Sequence, residues 1–220
     1  MALRRDQVVR SALELLDEAG LDALSTRRLA ERLGVRPGAL YWHVANKQEL
    51  LAGVADLILG EVVAGLAPPH GPWQQQLRRL AVAVRTALLA HQEAARLVAT
   101  AQAAPGPTNA MRIAERIIAV LRGAGFDLTT AAFAGDALLS YITGFALQED
   151  ARGPRTRDDA RARELAGALR AEGFPHMADW LTEWPVDRTE PFLAGLDLLL
   201  RGLATALPAP ALPAAAASGP

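Results

Sequence analysis

The chain has 220 residues, a mass of 23.3 kDa, 51% hydrophobic, 21% charged and 5% aromatic residues, and no cysteine. Disulfides, cysteine-ligated metal centres and thiol chemistry are therefore excluded, and the scattered His43, His70, His91 and His176 give no ligand-spaced pair for a metal. The formal net charge of −1 excludes a polycation, so affinity for nucleic acid has to come from a local patch.

Alanine (46 residues) and leucine (35) dominate, which favours helix over sheet and predicts an all-α fold. Arg4, Arg5 and Asp6 interrupt any apolar signal core at the N-terminus, and no long uncharged apolar run follows. The expectation is a soluble, cytoplasmic protein with no membrane partner.

In the first predicted helix, Val9, Ala12, Leu13 and Leu16 form one apolar stripe, and Gly20 ends it. Ser25 or Thr26 caps a second helix with Leu29, Ala30 and Leu33 facing inward. Gly34 breaks the chain, and Pro37 is placed to open a third helix running through Leu40, Tyr41 and Trp42 to about His43. Asn46 then caps a fourth, with Glu49 completing an approximate capping box. Two short helices about a tight glycine turn make a helix-turn-helix, whose second helix lies in the major groove of duplex DNA.

The residue types fit that task. Residues 25–47 carry Arg27, Arg28, Arg32, Arg36 and Lys47 against Glu31 alone. Gly38 and Ala39 are small enough for the helix to approach the groove floor. Arg36 reaches a phosphate or a guanine edge. Thr26 and Arg27 open the second helix and Lys47 the fourth, where backbone N–H groups favour a phosphate. Tyr41 and His43 offer donors at phosphate distance. Leu33, Val35 and Leu40 read as core, Trp42 as half core and half DNA-facing, and Arg28 and Arg32 as solvated surface.

The fourth helix continues through Leu50, Val54 and Ile58 to Val62 and ends at the Pro68-Pro69-His70-Gly71-Pro72 break. Further helices are predicted over 73–90, from there to about Gln102, over 108–123 and 128–150, near 159–171 and 175–184, and over 188–207. The domain reading is a DNA-binding head at 1–47, a connecting helix at 48–66, a ligand-binding and dimerisation body at 67–207, and a disordered low-complexity tail at 208–220. In the last helix Phe192, Leu196, Leu199, Leu200, Leu203 and Leu207 make a wide apolar face, with Gly195 and Gly202 two turns apart. Gly135 and Gly144 mark the 128–150 helix in the same way. Both helices are expected to pair with their copies as a four-helix bundle, making a homodimer. No nucleophile–base pair, phosphate-binding loop or metal motif is present, so no enzyme, cofactor or metal is expected. Asp136 reads as helix surface and His91 as a capping or packing residue. The competing reading is a helical interaction module whose helix-turn-helix binds protein instead of DNA.

The run Leu24-Ser25-Thr26-Arg27-Arg28-Leu29-Ala30-Glu31-Arg32-Leu33-Gly34-Val35, followed by Leu40-Tyr41-Trp42-His43-Val44 and Asn46-Lys47, resembles the DNA-binding domain of the tetracycline-repressor (TetR) family over about residues 5–60. The resemblance implies a dimeric transcriptional regulator, usually a repressor, that a small molecule releases from its operator. It implies DNA contacts at Thr26, Arg27, Tyr41, His43 and Lys47 and at the start of the third helix. There Arg36-Pro37-Gly38-Ala39 departs from the tetracycline repressor, so the operator should differ. In the same register, the positions that would hold tetracycline and its magnesium fall near Val62 or Val63, Leu80, Val98, Ile117 and Gln148, which are mostly apolar. The expected effector is therefore a largely apolar small molecule, in a pocket of Leu80, Val84, Val98, Met111 and Ile117.

Overall fold

In the computed structural model, residues 3–101, 106–152, 159–183 and 187–207 are described. They form helices α1 (Arg5–Ala19), α2 (Thr26–Leu33), α3 (Pro37–Leu40), α4 (Lys47–Ala64), α5 (Trp73–Ala90), α6 (Ala94–Thr100), α7 (Asn109–Gly123), α8 (Leu128–Arg152), α9 (Asp159–Ala171), α10 (Pro175–Glu183) and α11 (Thr189–Ala204), with no strand among them. The tail expectation at 208–220 lies outside the described residues.

The head folds around one apolar face of α1, which buries Val8, Val9, Ala12, Leu13, Leu15 and Leu16. Leu24, Leu29, Leu40, Val44 and Leu50, all essentially inaccessible, close that core from the other side. Ser25, rather than Thr26, caps α2: its hydroxyl accepts the Arg28 N–H at 3.3 Å. Gly34 ends α2 at φ 66°, a left-handed turn that an L side chain adopts only with strain. Leu33 and Val35, expected in the core, flank this turn and are half-buried against the core edge.

The third helix is shorter than expected. It ends at Leu40 instead of His43, and Tyr41–His43 continue as a turn whose His43 and Val44 N–H groups both donate to the Leu40 carbonyl, at 2.9 and 3.0 Å. Asn46 accepts the Glu49 N–H at 2.8 Å and starts α4, while the Glu49 carboxylate accepts the Ala45 N–H at 2.7 Å. The capping box is thus displaced by one residue.

Helix α4 belongs to both halves. Its first turns pack on α1 and its later turns on α5, α6 and α7. In the body α8 crosses α5, α6 and α7, and α11 lies along α5 and α8. Helices α9 and α10 pack chiefly on each other. Helix α8 is long and apolar enough to cross a membrane by length and composition alone, with mean hydropathy 1.3 over an 18-residue window of Leu128–Ala151. It packs against four helices of the body, and Asp136 lies at its surface, as expected.

Inside the α5–α8–α11 junction, the Arg85 guanidinium forms a two-point pair with Glu149 at 2.6 and 3.0 Å and lies 5.1 Å from the Phe192 ring centroid. Tyr141 stacks on Phe192 at 5.6 Å and donates its hydroxyl to the Phe192 carbonyl at 2.8 Å. This tyrosine explains Gly195. A Cβ there would collide with the Tyr141 hydroxyl and stand 3.0 Å from its Cζ. Gly135 likewise faces Ile117 of α7, 3.4 Å from where its Cβ would be. Both glycines serve close approach within the chain, not the expected contact between copies. Phe192, Leu196 and Leu200, expected on a dimer face, are core.

Candidate nucleic-acid interface

The residues expected to meet DNA fall on three adjoining stretches. Thr26 and Arg27 are the first two residues of α2, Arg36 caps α3 and Pro37 opens it, and Lys47 opens α4. Leu29, Leu40, Val44 and Leu50 tie these stretches together beneath the surface. Arg36, Pro37, Gly38, Tyr41 and Lys47 are exposed, and Thr26, Ala39 and His43 half-buried. Trp42, expected half in the core, is instead 89% exposed. The shortness of α3 explains this, because Tyr41 and Trp42 lie in the outward turn after its last buried residue. A Cβ at Gly38 would meet no heavy atom within 4 Å, so the absence of a side chain there serves nothing inside the fold.

The charges are not equivalent. Arg27 pairs with Glu31 at 3.1 Å across one turn of α2, fully in solvent. Arg32, expected as free surface, is clamped by Glu18 at 2.5 Å and Glu14 at 3.2 Å and fastens α2 to α1. Its bond to Glu18 holds the Arg32 pKa above the ordinary value and the Glu18 carboxyl below its own. Among the described residues, Arg28, Arg36 and Lys47 have no carboxylate partner.

The head is held to the body by the α5–α6 corner. His91, which ends α5, places Nδ1 2.8 Å from Asp17 on α1 and Nε2 3.2 Å from Glu61 on α4. Burial opposes its charge, but the two carboxylates outweigh that and hold its pKa above the ordinary value. The Gln92 N–H donates to Asp17 at 3.1 Å, and Glu93 accepts the Leu21 N–H at 2.5 Å. Glu93 takes a left-handed conformation, φ 55°, unlike any other non-glycine residue described. His91 is thus the C-cap expected of it, and also a polar strut between three helices, a role that only the tertiary structure reveals.

The expected effector pocket is not open. Leu80, Val84 and Ile117 are core residues, Val98 is half-buried, and Met111, at the start of α7, is 53% exposed. Leu77, Leu88, Ile113 and Leu121, all fully buried, fill the space between α5 and α7. Open space occurs elsewhere. One cleft of about 480 Å³ lies between Pro69, α5 and α7, and an apolar groove of about 340 Å³ runs between α8 and α11. Around that groove Phe133 and Leu198 are 72% and 68% exposed, and Leu147 and Leu199 also face outward. Gly144 and Gly202 have nothing within 4 Å of a built Cβ. On α8, Phe133, Ala137, Ser140, Gly144 and Leu147 recur at helical spacing opposite the buried Ala131, Leu138, Ile142 and Ala146. The sequence reading missed Phe133, Leu147 and Leu198.

A helix-turn-helix head with outward cations and aromatics, joined by one long helix to an all-helical body, defines a transcriptional regulator. Two family models agree: "Bacterial regulatory proteins, tetR family" matches residues 8–54 and "Tetracyclin repressor-like, C-terminal domain" matches residues 65–207. The chain belongs to the TetR family of bacterial transcriptional regulators. It is 40% identical over 151 residues to the tetracycline repressor protein class C of Escherichia coli, covering 68% of this chain and 67% of that protein. The fold is similar to that of the Streptomyces coelicolor TetR family protein ActR in complex with (S)-DNPA, with TM-score 0.79, 33% identity, and 93% and 98% of the two chains covered. It is also similar to BioQ solved with its double-stranded DNA operator, with TM-score 0.69, 32% identity, and 92% and 99% covered.

Proposed function

We propose that the chain is a cytoplasmic, homodimeric repressor that binds a palindromic duplex operator and is released from it by a small, largely apolar molecule. The observation that carries this reading is the outward set of Arg36, Gly38, Tyr41, Trp42 and Lys47 on a head whose own core is complete without them. Trp42 and Tyr41, 89% and 55% exposed, stand beside the unpaired Arg36 and Lys47, so aromatic and cationic groups of the kind that seat on sugars and phosphates share one face. In this reading Arg36, Pro37, Gly38 and Ala39 meet base edges, while Thr26, Arg27, Tyr41, Trp42, His43 and Lys47 position the helix on phosphates and sugars. The BioQ–operator complex and the class C tetracycline repressor support the DNA-binding and repressor parts by similarity.

The apolar stripes of α8 and α11 support the dimer, because their exposed leucines and phenylalanine border a groove that a second copy would fill. The two heads then meet successive major grooves on one face of the duplex. The ligand-bound ActR supports the effector part. A magnesium–tetracycline chelate is not proposed: Val62, Leu80 and Ile117 are buried and apolar, and unpaired polar groups there cost several kcal/mol by the usual scale of polar burial, about 2–7 kcal/mol. The test is selection of bound sequences from random duplexes with the purified protein. A palindromic consensus of two half-sites is expected; recovery of no preferred sequence overturns the reading.

A further inference from the structure

The 480 Å³ cleft lies where α4 gives way to α5, within the roughly 300–1,000 Å³ usual for small-molecule sites. Four observations bear on this cleft, whose wall includes Arg116, and on the smaller space beside it, which Arg79 lines together with Arg116. Arg79 of α5 donates to the His70 carbonyl at 2.5 Å, and Arg116 of α7 donates to the Ala67 carbonyl at 2.8 Å. The two guanidiniums thus converge on one loop from two helices. Neither has a carboxylate partner among the described residues, and each leaves most of its five N–H donors unused by the protein.

The third observation is the wall itself. Trp73, edge-on to Phe126 with ring centroids 5.4 Å apart, is half-buried and lines the cleft together with Val120 and Gly123. A Cβ on Gly123 would meet nothing within 4 Å. The fourth is Gln76. Its amide nitrogen donates to the Gly71 carbonyl at 2.8 Å, while its Oε1 is buried without a hydrogen-bond partner. A buried acceptor left in that state is costly, and a hydroxyl or N–H on the body of the ligand would satisfy it. A smaller space of about 80 Å³, which reaches Leu80 and Arg79, shares Gln76, Arg116 and Val120 with the cleft.

We infer that this cleft is a binding site for an organic anion: an aromatic or polycyclic body against Trp73 and Val120, with a carboxylate or sulfonate on Arg79 and Arg116. The inference rests on the effector reading above and gives it a place and a charge, away from the filled positions Val84 and Ile117. The anion exchanges guanidinium–carbonyl bonds, in which only the donor is charged, for ion-paired bonds in which both partners are charged and the planar fork can bind two oxygens at once. The loop at 66–72 loses both of its guanidinium anchors. That loop continues directly from α4, whose other end carries Lys47 into the head. The signal is a loosening of the C-terminal attachment of α4. It shifts the head only in so far as the ligand prefers the loosened state.

The test uses the full chain and two fluorescent probes of nearly equal size, 8-anilinonaphthalene-1-sulfonate and the uncharged N-phenyl-1-naphthylamine. Arg79→Gln/Arg116→Gln should weaken the sulfonate about tenfold or more and the uncharged probe less than about twofold, the scale of one to two lost charged hydrogen bonds. Gly123→Leu fills the cleft and should exclude both probes, with the melting curve serving as the check on folding. Equal loss of the two probes in the arginine variant overturns the proposal. So does unchanged binding to Gly123→Leu, which would put the probes in the α8–α11 groove. Saturating sulfonate should also lower the affinity for the selected operator; binding in the cleft with unaltered operator affinity refutes the coupling to α4. Absence of any operator binding without probe refutes the repressor reading itself, whatever the probes do.

Discussion

Replacing Gly195 by alanine should destabilise the protein, although alanine is the better helix former. In α11 the substitution gains about 1 kcal/mol of helix propensity. Against this, the new methyl overlaps the Tyr141 hydroxyl and stands 3.0 and 3.2 Å from its Cζ and Cε2. The tyrosine cannot yield cheaply. It donates to the Phe192 carbonyl at 2.8 Å and stacks on the Phe192 ring at 5.6 Å, with Phe145 5.9 Å away. Displacing it forfeits about 1 kcal/mol of hydrogen bond and about 1 kcal/mol of ring packing. Overpacking strain adds about 1–3 kcal/mol if the ring stays instead. The protein takes the cheaper of the two courses, so after the propensity gain the expected net cost is up to about 1 kcal/mol. Urea unfolding of wild type and variant at one fixed protein concentration measures it, since a dimer's stability depends on concentration. In a Tyr141→Phe background the closest contact is gone, so the same substitution should cost about 1 kcal/mol less. A Gly195→Ala protein with a higher unfolding midpoint than wild type, or equal costs in the two backgrounds, would refute the packing argument.

Gly202, seven residues on, should behave oppositely: Gly202→Leu keeps the helical circular dichroism but shifts light scattering from about twice 23.3 kDa toward the single chain, because its Cβ enters space that no atom of its own chain fills. Lys47→Ala should weaken all duplexes alike and reduce the slope of log affinity against log salt by about one. Gly38→Val should abolish operator binding while leaving the melting curve within about 1 °C, since the fold has room for it and a groove floor has not. His91 has a raised pKa when folded, so its contribution is complete below its ordinary pKa of about 6.5 and fades as the pH rises through the folded value. The stability advantage of wild type over His91→Gln should therefore shrink as the pH rises above about 6.5, and a difference independent of pH would show that the carboxylates of Asp17 and Glu61 do not hold a charged ring.

The helices were readable because local signals mark them. Apolar residues recur at helical spacing, and Gly20, Gly34, Pro37, Asn46 and the proline run at 68–72 sit where helices start or stop. The head was readable for the same reason, since its function lies in side chains that follow one another along a short stretch. What escaped the sequence depends on contacts across long separations. Nothing local to Arg32 tells that Glu14 and Glu18 will take its charge. Nothing in α11 distinguishes Gly195, filled by Tyr141 from 54 positions away, from Gly202, which faces open space. The pocket positions are ambiguous for a similar reason: apolar residues on facing helices are equally able to line a cavity or to close one, and here Leu77, Leu80, Ile113 and Ile117 are all buried. The acid nearest to His91 in sequence, Glu93, bonds Leu21 and Arg96 instead, and the two carboxylates at the His91 ring arrive from α1 and α4.

Lys47, exposed at the first residue of α4, is the chain's single lysine among 23 basic side chains. Apart from the histidines, every other cationic side chain is a guanidinium, which stays charged at all accessible pH and resists acylation. The protein therefore carries one side-chain amine, and it stands on the face assigned to DNA. Amine-directed reagents, whether an acetyl donor in the cell or a fluorescent ester in the cuvette, have one side chain to modify, and modification there removes a unit of positive charge from that face alone. With no cysteine to compete, a thiol placed anywhere else gives a second, orthogonal handle. Acylation of Lys47 slowed by a cognate duplex and restored by an effector would then report release in real time, without any engineered reporter in the head.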